Sequence, residues 1–234
     1  LHSFSKDYFD RKFEVEKIQG VTYQLYEMQG LDQLNELIQR ENLIGLNVTI
    51  PYKEQVIGYI DEIEPNANRI GAVNCIRIVK GHRIGYNTDY IGFKLSIEGK
   101  LKEMQKHAVI LGNGGAAKAI KYALNQMGIE SVFAVRNKRD LDEIEYELVD
   151  KDFLEKHKIV INCTPLGTYP KIDEFPNIPY QFITNQHLCI DLVYNPKETA
   201  FLKRCGANGA EGMNGESMLA FQAEESWKLW NEIC

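Results

Sequence analysis

The segment from His107 to Lys118 constrains the fold most, because it reads as an apolar strand, a glycine-rich turn and the start of a helix. Within it, Gly112, Gly114 and Ala117 match the pattern G-x-G-x-x-A. The first glycine of this pattern permits a tight turn, the second lets the main chain approach a pyrophosphate, and the small third residue lets helix and strand pack closely. Backbone N–H groups at the helix start then favour phosphate. The pattern predicts a Rossmann-type dinucleotide-binding domain, and a plain strand-to-helix turn is the alternative.

The end of the next apolar run indicates which dinucleotide would bind. After Val135 the chain carries Arg136, Lys138 and Arg139, and a carboxylate first appears at Asp140. An acidic residue at this strand end would bind the 2′-hydroxyl of NAD. A guanidinium instead suits the 2′-phosphate of NADP. The sequence therefore favours NADP(H) as the cofactor, with Arg136 on the 2′-phosphate and a solvated basic turn as the alternative.

The stretch that follows is short for a Rossmann fold. About 22 residues separate Asn137 from Val160, which is too few for a helix, a strand and a second helix at common loop lengths. We expect one Rossmann helix to be shortened or lost here. Such a loss would weaken the adenosine side, so the choice between NADP and NAD stays open.

Strands and helices alternate along the rest of the chain. Short β-branched or apolar runs predict strands, and the segments between most of them have helical periodicity. This alternation indicates an α/β fold with mainly parallel sheets. The earlier runs are more polar than the later ones, which suggests two domains with a boundary near residues 87–91. The predicted strands are Val21–Tyr26, Leu46–Ile50, Ala72–Val79, Ala108–Leu111, Ser131–Val135, Ile159–Asn162 and Leu188–Val193.

Composition narrows the class of protein. The 234 residues are 44% hydrophobic with a formal net charge of -6, which is ordinary for a globular protein and argues against a nucleic-acid binder. No apolar run approaches the roughly 18 residues that a membrane span requires. The cysteines are widely spaced without a C-x-x-C pair, and the histidines have no metal-ligand spacing. We therefore expect reduced thiols, a cytoplasmic location and no metal.

Polar residues cluster where strands of the first half should end. Ser5 precedes a predicted helix, Lys53 follows Pro51, and Asp89 stands at another predicted helix start. Taken alone, Ser5 or Asp89 could be a helix N-cap, and Lys53 could be a surface lysine. The clusters are His2-Ser3-Phe4-Ser5, Asn47-Val-Thr-Ile-Pro-Tyr-Lys53, Gly71-Ala-Val-Asn-Cys75 and Gly85-Tyr-Asn-Thr-Asp89.

Taken together and in order, these clusters resemble the motifs of the shikimate dehydrogenase family. The likeness continues through the glycine-rich turn and covers nearly the whole chain. The matching segments are His2-Ser-x-Ser5, Asn47-Val-Thr-x-Pro-x-Lys53, Gly71-Ala-Val-Asn74, Asn87-Thr-Asp89, Gly112-x-Gly-Gly-Ala116, Ile161-Asn-Cys-Thr-Pro-Leu-Gly167, Asp191-x-x-Tyr194-x-Pro196 with Thr199, and Gly215-x-x-Met-Leu-x-x-Gln-Ala223.

The resemblance implies two domains and one reaction. Residues 1–88 and 215–234 would form an N-terminal α/β substrate domain with a mixed sheet, to which the C-terminal helix returns. Residues 89–214 would form the Rossmann NADP-binding domain. The implied activity is the reversible NADPH-dependent reduction of 3-dehydroshikimate to shikimate, a step towards chorismate and the aromatic amino acids. The implied partner is this small-molecule substrate, with neither nucleic acid nor membrane, in a monomer or homodimer.

The resemblance also implies roles for individual residues. Lys53 and Asp89 would be the catalytic pair, since an ammonium near the carbonyl oxygen can stabilise the growing negative charge and donate a proton. Whether Lys53 is an acid/base or acts only electrostatically stays open, and Asp89 would orient it. The substrate would be bound by Ser3 and Ser5 with help from Tyr194 at its carboxylate, and by Thr49, Asn74, Asp89 and Gln222 at its hydroxyls. The cofactor would be held by Gly112, Asn113, Gly114, Gly115, Ala116, Arg136, Thr164, Pro165, Leu166, Gly215 and Met218.

Departures from the family pattern leave alternatives. The family has a short strand before its Ser-x-Ser motif, so we expect the native gene product to begin upstream of Leu1. Glu216 and Ser217 stand where the family often has Leu and Gly, which could alter the nicotinamide pocket. The alternatives are a quinate/shikimate dehydrogenase with relaxed NAD/NADP use and a non-catalytic protein that binds NADP or shikimate.

Overall fold

The computed structural model describes residues 4–232 and alternates helices with strands. The helices are α1 (Phe4–Val15), α2 (Leu34–Glu41), α3 (Pro65–Ile70), α4 (Asp89–Ile97), α5 (Gly115–Gln126), α6 (Lys151–Lys156), α7 (Ala200–Gly206) and α8 (Glu216–Asn231). The strands are β1 (Gly45–Asn47), β2 (Glu62–Ile63), β3 (Cys75–Val79), β4 (His82–Tyr86), β5 (His107–Leu111), β6 (Glu130–Val135), β7 (Glu143–Glu145), β8 (Ile159–Asn162), β9 (Leu188–Asp191) and β10 (Glu211–Asn214).

The chain divides into two compact units. One unit comprises Leu1–Gly92 and Leu219–Cys234, and the other comprises Phe93–Met218. The chain therefore changes unit within α4 and again within α8. The assignment of the first unit to the substrate and of the second to the cofactor remains a prediction at this point.

The first unit is built on a mixed sheet, as the sequence predicts. Its described strands lie in the order β1-β3-β4-β2, with β3 antiparallel to both neighbours and β2 parallel to β4. Lys80 and Gly81 join β3 to β4, and their φ angles of 51 and 84 give the two-residue turn that matches the twist of a hairpin. The buried apolar side chains that pack together here are Leu31, Leu34, Val56, Ala67, Val73 and Ile76.

The C-terminal helix packs within this first unit, as expected. Phe9 of α1 is fully buried and lies 5.6 Å from the ring of Trp230 and 4.6 Å from that of Tyr23, centroid to centroid. The indole Nε1 of Trp230 donates to the carbonyl oxygen of Ile76 at 3.0 Å, which ties α8 to β3. Aromatic packing of this kind adds to the burial of apolar area. It fixes the part of α8 that carries polar site residues.

The second unit is a parallel sheet in the Rossmann order. Among the described residues its strands lie in the order β10-β9-β8-β5-β6-β7, and every neighbouring pair is parallel. β5, β8 and β9 are short and almost entirely buried, which is typical of strands covered on both faces. The strand order reverses at β5, so the carboxyl ends of β5, β6 and β8 form the topological switch point. Open α/β sheets bind their ligands there.

The crossover from β6 to β7 confirms the expected loss of a Rossmann helix. β6 ends at Val135 and β7 begins at Glu143, so residues 136–142 make the whole connection, and none of these seven residues is helical. Parallel neighbours usually need a dozen or more connecting residues. Something other than a helix must therefore hold this crossover in place.

Some predicted elements differ from the observed ones. Val21–Tyr26 is not a strand, because a strand exists through hydrogen bonds to a neighbour, and no described strand pairs with this segment. Apolar residues recur at Ile91, Phe93, Leu95, Ile97 and Leu101 and indicate one helix over this stretch. The observed helix α4 ends earlier, at Ile97, and Gly99 follows with a φ of 72. The predicted strands do not include β2, β4, β7 and β10.

The structure bears on the expectations for membrane spans, metal sites and cysteines. No helix within residues 4–232 is long and apolar enough to cross a membrane. In the same range, no group of three or more His, Cys, Asp or Glu side chains is placed to hold a metal ion. Cys75, Cys163, Cys189 and Cys205 are free thiols.

Candidate active site

An ion pair between Lys53 and Asp89 forms the chemical centre of the first unit. Lys53 Nζ lies 2.7 Å from Asp89 Oδ2, and the side chains are 14% and 6% exposed. Lys53 follows Pro51 in a turn, and its carbonyl oxygen accepts the N–H of Val73 at 2.7 Å. Asp89 is the first residue of α4, and its N–H donates to Asn87 Oδ1 at 3.1 Å. The turn and the helix start thus hold a largely desolvated pair of opposite charges.

Asn74 holds the other oxygen of the Asp89 carboxylate. Asn74 Nδ2 donates to Asp89 Oδ1 at 2.9 Å, and Asn74 Oδ1 accepts the N–H of Thr88 at 2.6 Å. Asn74 Nδ2 also lies 3.3 Å from Gln222 Oε1. Both Asn74 and Gln222 are buried. Because Lys53 holds one carboxylate oxygen and Asn74 the other, the orientation of Asp89 is fixed.

Two hydroxyl groups that the sequence analysis did not predict extend this network: that of Ser226 on α8 and that of Thr88 before α4. Ser226 Oγ lies 3.2 Å from Thr88 Oγ1 and accepts a hydrogen bond from Asn47 Nδ2 at 2.9 Å. Thr88 and Ser226 are fully buried. Thr88 stands inside the Asn87-Thr-Asp89 motif, which could have indicated it. Ser226 lies four residues after Gln222, on the same helix face, and that spacing was its signal.

The predicted carboxylate-binding serines are only partly described. Ser5 lies inside α1 rather than just before it, and its side chain hydrogen-bonds to Tyr23. Tyr23 in turn donates to Asn47 Oδ1 at 3.1 Å, and burial raises the pKa of Tyr23 to about 12. Ser3 lies outside the described residues. Thr49 is exposed in the turn after β1, and its predicted contact with the substrate remains a prediction.

The glycine-rich turn of the second unit has the geometry that its pattern requires. Gly112 has a φ of 95, and its N–H donates to the carbonyl oxygen of Ala134 at 2.9 Å. A side chain on Gly112 would come within 3.3 Å of Thr164 Cγ2, whereas one on Gly114 would meet nothing within 4 Å. Ala117 is buried in α5. The open space at Gly114, beside the N–H groups that start α5, fits a pyrophosphate.

The basic residues expected near a 2′-phosphate stand at the carboxyl end of β6. Residues 136–140 are all exposed, Arg136 first among them. A buried carboxylate that sequence reasoning missed lies beside them. Asn113 Nδ2 donates to Glu143 Oε1 at 2.7 Å, which links the glycine-rich turn to the start of β7. The exposed cations of residues 136–139 are therefore accessible to an anion, and the nearby carboxylate of Glu143 accepts a hydrogen bond from Asn113.

The predicted residues after β8 are held by a buried polar network. Asn162 Oδ1 accepts from Thr164 N at 3.0 Å and from Thr164 Oγ1 at 2.6 Å, while Asn162 Nδ2 donates to Asp191 Oδ1 at 2.9 Å. Thr199 Oγ1 donates to Asp191 Oδ2 at 2.5 Å. Burial raises the pKa of Asp191 to about 6. This network fixes the turn that also contains Pro165 and Leu166.

The last predicted cofactor residues lie where β10 meets α8. A side chain on Gly215 would come within 2.3 Å of the carbonyl oxygen of Leu192, so glycine is required there by packing. Met218 is buried, as a core residue of the helix would also be. Tyr194 is partly buried after β9. The predicted contacts of Gly215 and Met218 with the nicotinamide, and of Tyr194 with the substrate, remain predictions.

Comparison with known sequences gives one consistent result. Residues 1–76 match the family model described as the shikimate dehydrogenase substrate binding domain. A shikimate dehydrogenase (NADP(+)) of Clostridium beijerinckii is 39% identical, over 99% of this chain and 88% of the relative. Another, from Desulforamulus reducens, is 36% identical over 81% of this chain and 72% of the relative. Identity at this level over most of both chains extends beyond the first unit.

Comparison with solved structures agrees. Shikimate dehydrogenase 1 from Peptoclostridium difficile superposes with a TM-score of 0.87 and 37% identity, over 100% of this chain and 89% of that one. A shikimate 5-dehydrogenase from Thermus thermophilus, solved with NADP(H) and shikimate, has a TM-score of 0.86 and 27% identity, over 99% and 90%. The chain therefore belongs to the shikimate dehydrogenase family.

Proposed function

We propose that this chain catalyses the reversible NADPH-dependent reduction of 3-dehydroshikimate to shikimate. The observation that carries the proposal is the ion pair of Lys53 and Asp89, 2.7 Å apart and largely shielded from solvent. Membership of the family supplies the substrate, and the ion pair supplies a proton donor with a fixed partner. A binding protein without activity would not need a lysine held in this way.

Lys53 acts as the acid of the reaction. NADPH, when bound, supplies a hydride to the carbonyl carbon of the substrate. Negative charge then grows on the carbonyl oxygen, where the Lys53 ammonium stabilises it and donates a proton. Asp89 keeps the ammonium in place, and Asn74 prevents the carboxylate from turning away, since it holds the second oxygen at 2.9 Å.

The remaining predicted residues divide between substrate and cofactor. We assign Thr49, Asn74, Asp89 and Gln222 to the hydroxyls of the substrate, and Ser3, Ser5 and Tyr194 to its carboxylate. Gly112, Asn113, Gly114, Gly115 and Ala116 would hold the pyrophosphate of NADP(H), and Arg136 its 2′-phosphate. Thr164, Pro165, Leu166, Gly215 and Met218 would border the ribose and nicotinamide. The open space at Gly114 and the exposed cations after β6 support the cofactor assignments.

Replacement of Lys53 tests the proposal directly. We expect Lys53→Ala to lower kcat by about 10²- to 10⁴-fold, the usual contribution of a positioned acid. The KM for shikimate should stay close to the wild-type value, because the lysine acts mainly on the transition state. Reduction of NADP+ by shikimate, followed through the absorbance of the reduced nicotinamide, measures both constants.

A matched surface lysine provides the control. Lys151 is 61% exposed at the start of α6, and Lys151→Ala should leave kcat and KM unchanged. A Lys53→Ala variant with wild-type kcat would refute the role of Lys53. Quinate, used in place of shikimate in the same assay, tests the alternative substrate.

We also infer a cytoplasmic site of action and a monomeric or homodimeric state. Free Cys75, Cys163, Cys189 and Cys205 support a reducing compartment, where NADPH is also maintained. Light scattering on the eluted protein separates monomer from homodimer. Fractionation of the producing cells locates the protein.

A further inference from the structure

Glu143 lies beside a crossover that lacks the usual helix. The crossover of residues 136–142 carries the cations expected at the 2′-phosphate, yet it has no helix to fix it. Glu143 is the first residue of β7, and it is only 2% exposed. In the sheet its Cα is paired with that of Phe133 of β6.

The carboxylate of Glu143 connects the two ends of the predicted adenosine site. Oε2 accepts the backbone N–H of Arg139 at 2.7 Å and that of Asp140 at 3.2 Å, which folds the crossover around it. Oε1 accepts from Asn113 Nδ2 at 2.7 Å, in the glycine-rich turn. One buried carboxylate therefore holds the basic crossover and the glycine-rich turn together.

Charge and burial favour this role over direct contact with the cofactor. In NAD enzymes, a carboxylate near the end of the strand that corresponds to β6 binds the ribose 2′-hydroxyl. Here the oxygens of Glu143 already accept hydrogen bonds from the protein, first of all from the N–H of Arg139, and these lower the pKa of the carboxyl. A buried acceptor satisfied by the chain itself stabilises that geometry.

A neighbouring contact anchors the same crossover to α5. Lys121 Nζ lies 2.5 Å from Asp142 Oδ2 and 4.5 Å from the centroid of the Phe133 ring. The end of the crossover is thereby fixed to the helix that follows the glycine-rich turn. The cations of residues 136–139 remain exposed, while the backbone after them is held by Glu143 and by the contact of Lys121 with Asp142.

We propose that Glu143 is a positioning residue for the adenosine end of NADP(H). It holds the short basic crossover against the glycine-rich turn, so that the cations of residues 136–139 meet the 2′-phosphate without the missing helix. The inference rests on the proposed function for its cofactor. It goes beyond that function in assigning cofactor selectivity to a buried acid that does not touch the cofactor.

The sign of the effect separates positioning from simple electrostatics. If Glu143 positions the cations, Glu143→Ala weakens the binding of adenosine 2′,5′-bisphosphate, a cofactor fragment that carries the 2′-phosphate. The dissociation constant measured by calorimetry should rise by about tenfold or more, as for one lost hydrogen bond to a charged group. If Glu143 were only a nearby negative charge, or a carboxylate placed to bind the 2′-hydroxyl of NAD, its removal would strengthen binding of this fragment, and that result would overturn the proposal.

Kinetics supply an independent readout. For Glu143→Ala we expect the KM for NADPH to rise with the dissociation constant, while kcat and the KM for shikimate stay near wild type. Trypsin should also cut the variant faster after Arg136, Lys138 or Arg139, because the crossover has lost its internal anchor. A uniform loss of kcat with unchanged fragment binding would contradict a positioning role.

Two further variants complete the design. Glu143→Gln keeps the shape and one acceptor, so it should recover only part of the fragment affinity, with a dissociation constant about two- to fivefold above wild type. If Glu143→Ala does not fold, Glu143→Gln decides the matter, since weaker fragment binding supports positioning and equal or tighter binding refutes it. Glu147→Ala removes the same charge from an exposed position nearby and should change nothing. A wild-type chain that binds no fragment and shows no turnover would instead refute the proposed function itself.

Discussion

Asp89 and Asn74 show how single residues create a fixed reactive geometry. The carboxylate of Asp89 is held by Lys53 on one oxygen and by Asn74 on the other, both within 2.9 Å. Buried polar groups are costly unless they are paired, so each group in this network constrains the next. Resemblance to a family predicted Lys53, Asn74 and Asp89 for one site, and the structure brings their side chains into contact. The spacing of Ser226 from Gln222 indicated only a shared helix face, and its contact with Thr88 depends on the packing of α8.

Asp191 is a second buried carboxylate, and its titration has a definite sign. Burial raises its pKa to about 6, although hydrogen bonds from Thr199, Val193 and Asn162 oppose the shift. In the unfolded chain the pKa of an aspartate is about 3.9. Between these values the folded state binds more protons than the unfolded state, so this group's contribution to the free energy of unfolding falls as pH rises. Above about pH 6 that loss is complete.

We predict that Asp191→Asn removes this pH dependence. Relative to wild type, the free energy of unfolding of the variant should rise by about 2 kcal/mol from about pH 4 to pH 7, because most of the energy of a shift of about two pKa units falls in this pH range. Urea unfolding of both proteins at both pH values measures it. Asp152→Asn, in the exposed first turn of α6, is the control. A difference between Asp191→Asn and wild type that does not vary with pH would contradict the prediction.

At the scale of elements, the crossover between β6 and β7 separates what the sequence can predict from what it cannot. Counting residues between Asn137 and Val160 was enough to predict the lost helix, because a helix needs length. The role of Glu143 depends on the sheet register that pairs it with Phe133, and no local pattern encodes that register. Asp140 was the nearest carboxylate in sequence, but Glu143 is the one that reaches Asn113.

Strand predictions failed where pairing mattered more than propensity. Val21–Tyr26 has β-forming residues but no partner among the described strands. β10 contains Gly212 and Asn214, which are poor strand formers, yet it pairs in parallel with β9 over its whole length. β4 had a readable signal in the Lys80-Gly81 turn, which the apolar pattern alone did not use.

The glycine-rich turn gives a prediction in which two similar substitutions differ. Gly114→Ala should leave stability unchanged, since a side chain there meets nothing within 4 Å and the φ of -72 suits alanine. It should raise the KM for NADPH by about tenfold or more, because the added methyl blocks the approach of the pyrophosphate. Steady-state kinetics together with thermal unfolding measure both effects.

Gly112→Ala is the matched partner of that variant. Its φ of 95 and the 3.3 Å approach to Thr164 make alanine strained, so the protein should lose about 1–2 kcal/mol of stability. If both variants destabilised the protein equally, the open space at Gly114 would not be a ligand site. If Gly114→Ala left the KM for NADPH unchanged, the pyrophosphate assignment would fail.

At the scale of the whole molecule, one chain builds two units and contributes to the first one twice. It leaves the first unit within α4, forms a parallel sheet with the strand order of a Rossmann fold, and returns within α8. The glycine-rich pattern was sufficient to predict the second unit. The return of the chain rested on resemblance to a family, since no local pattern states which unit α8 joins. The physical reason that α8 joins the first unit includes Trp230, whose indole N–H donates a hydrogen bond to the carbonyl oxygen of Ile76.

The most direct test of the account is the initial rate of NADP+ reduction by shikimate, measured on the 234-residue chain beside its Lys53→Ala and Lys151→Ala variants. We predict measurable turnover for wild type and Lys151→Ala, a higher kcat/KM with NADP+ than with NAD+, and a kcat lowered by about 10²-fold or more in Lys53→Ala. Turnover that is equal in Lys53→Ala and wild type, or absent from a folded wild-type chain, would contradict the account.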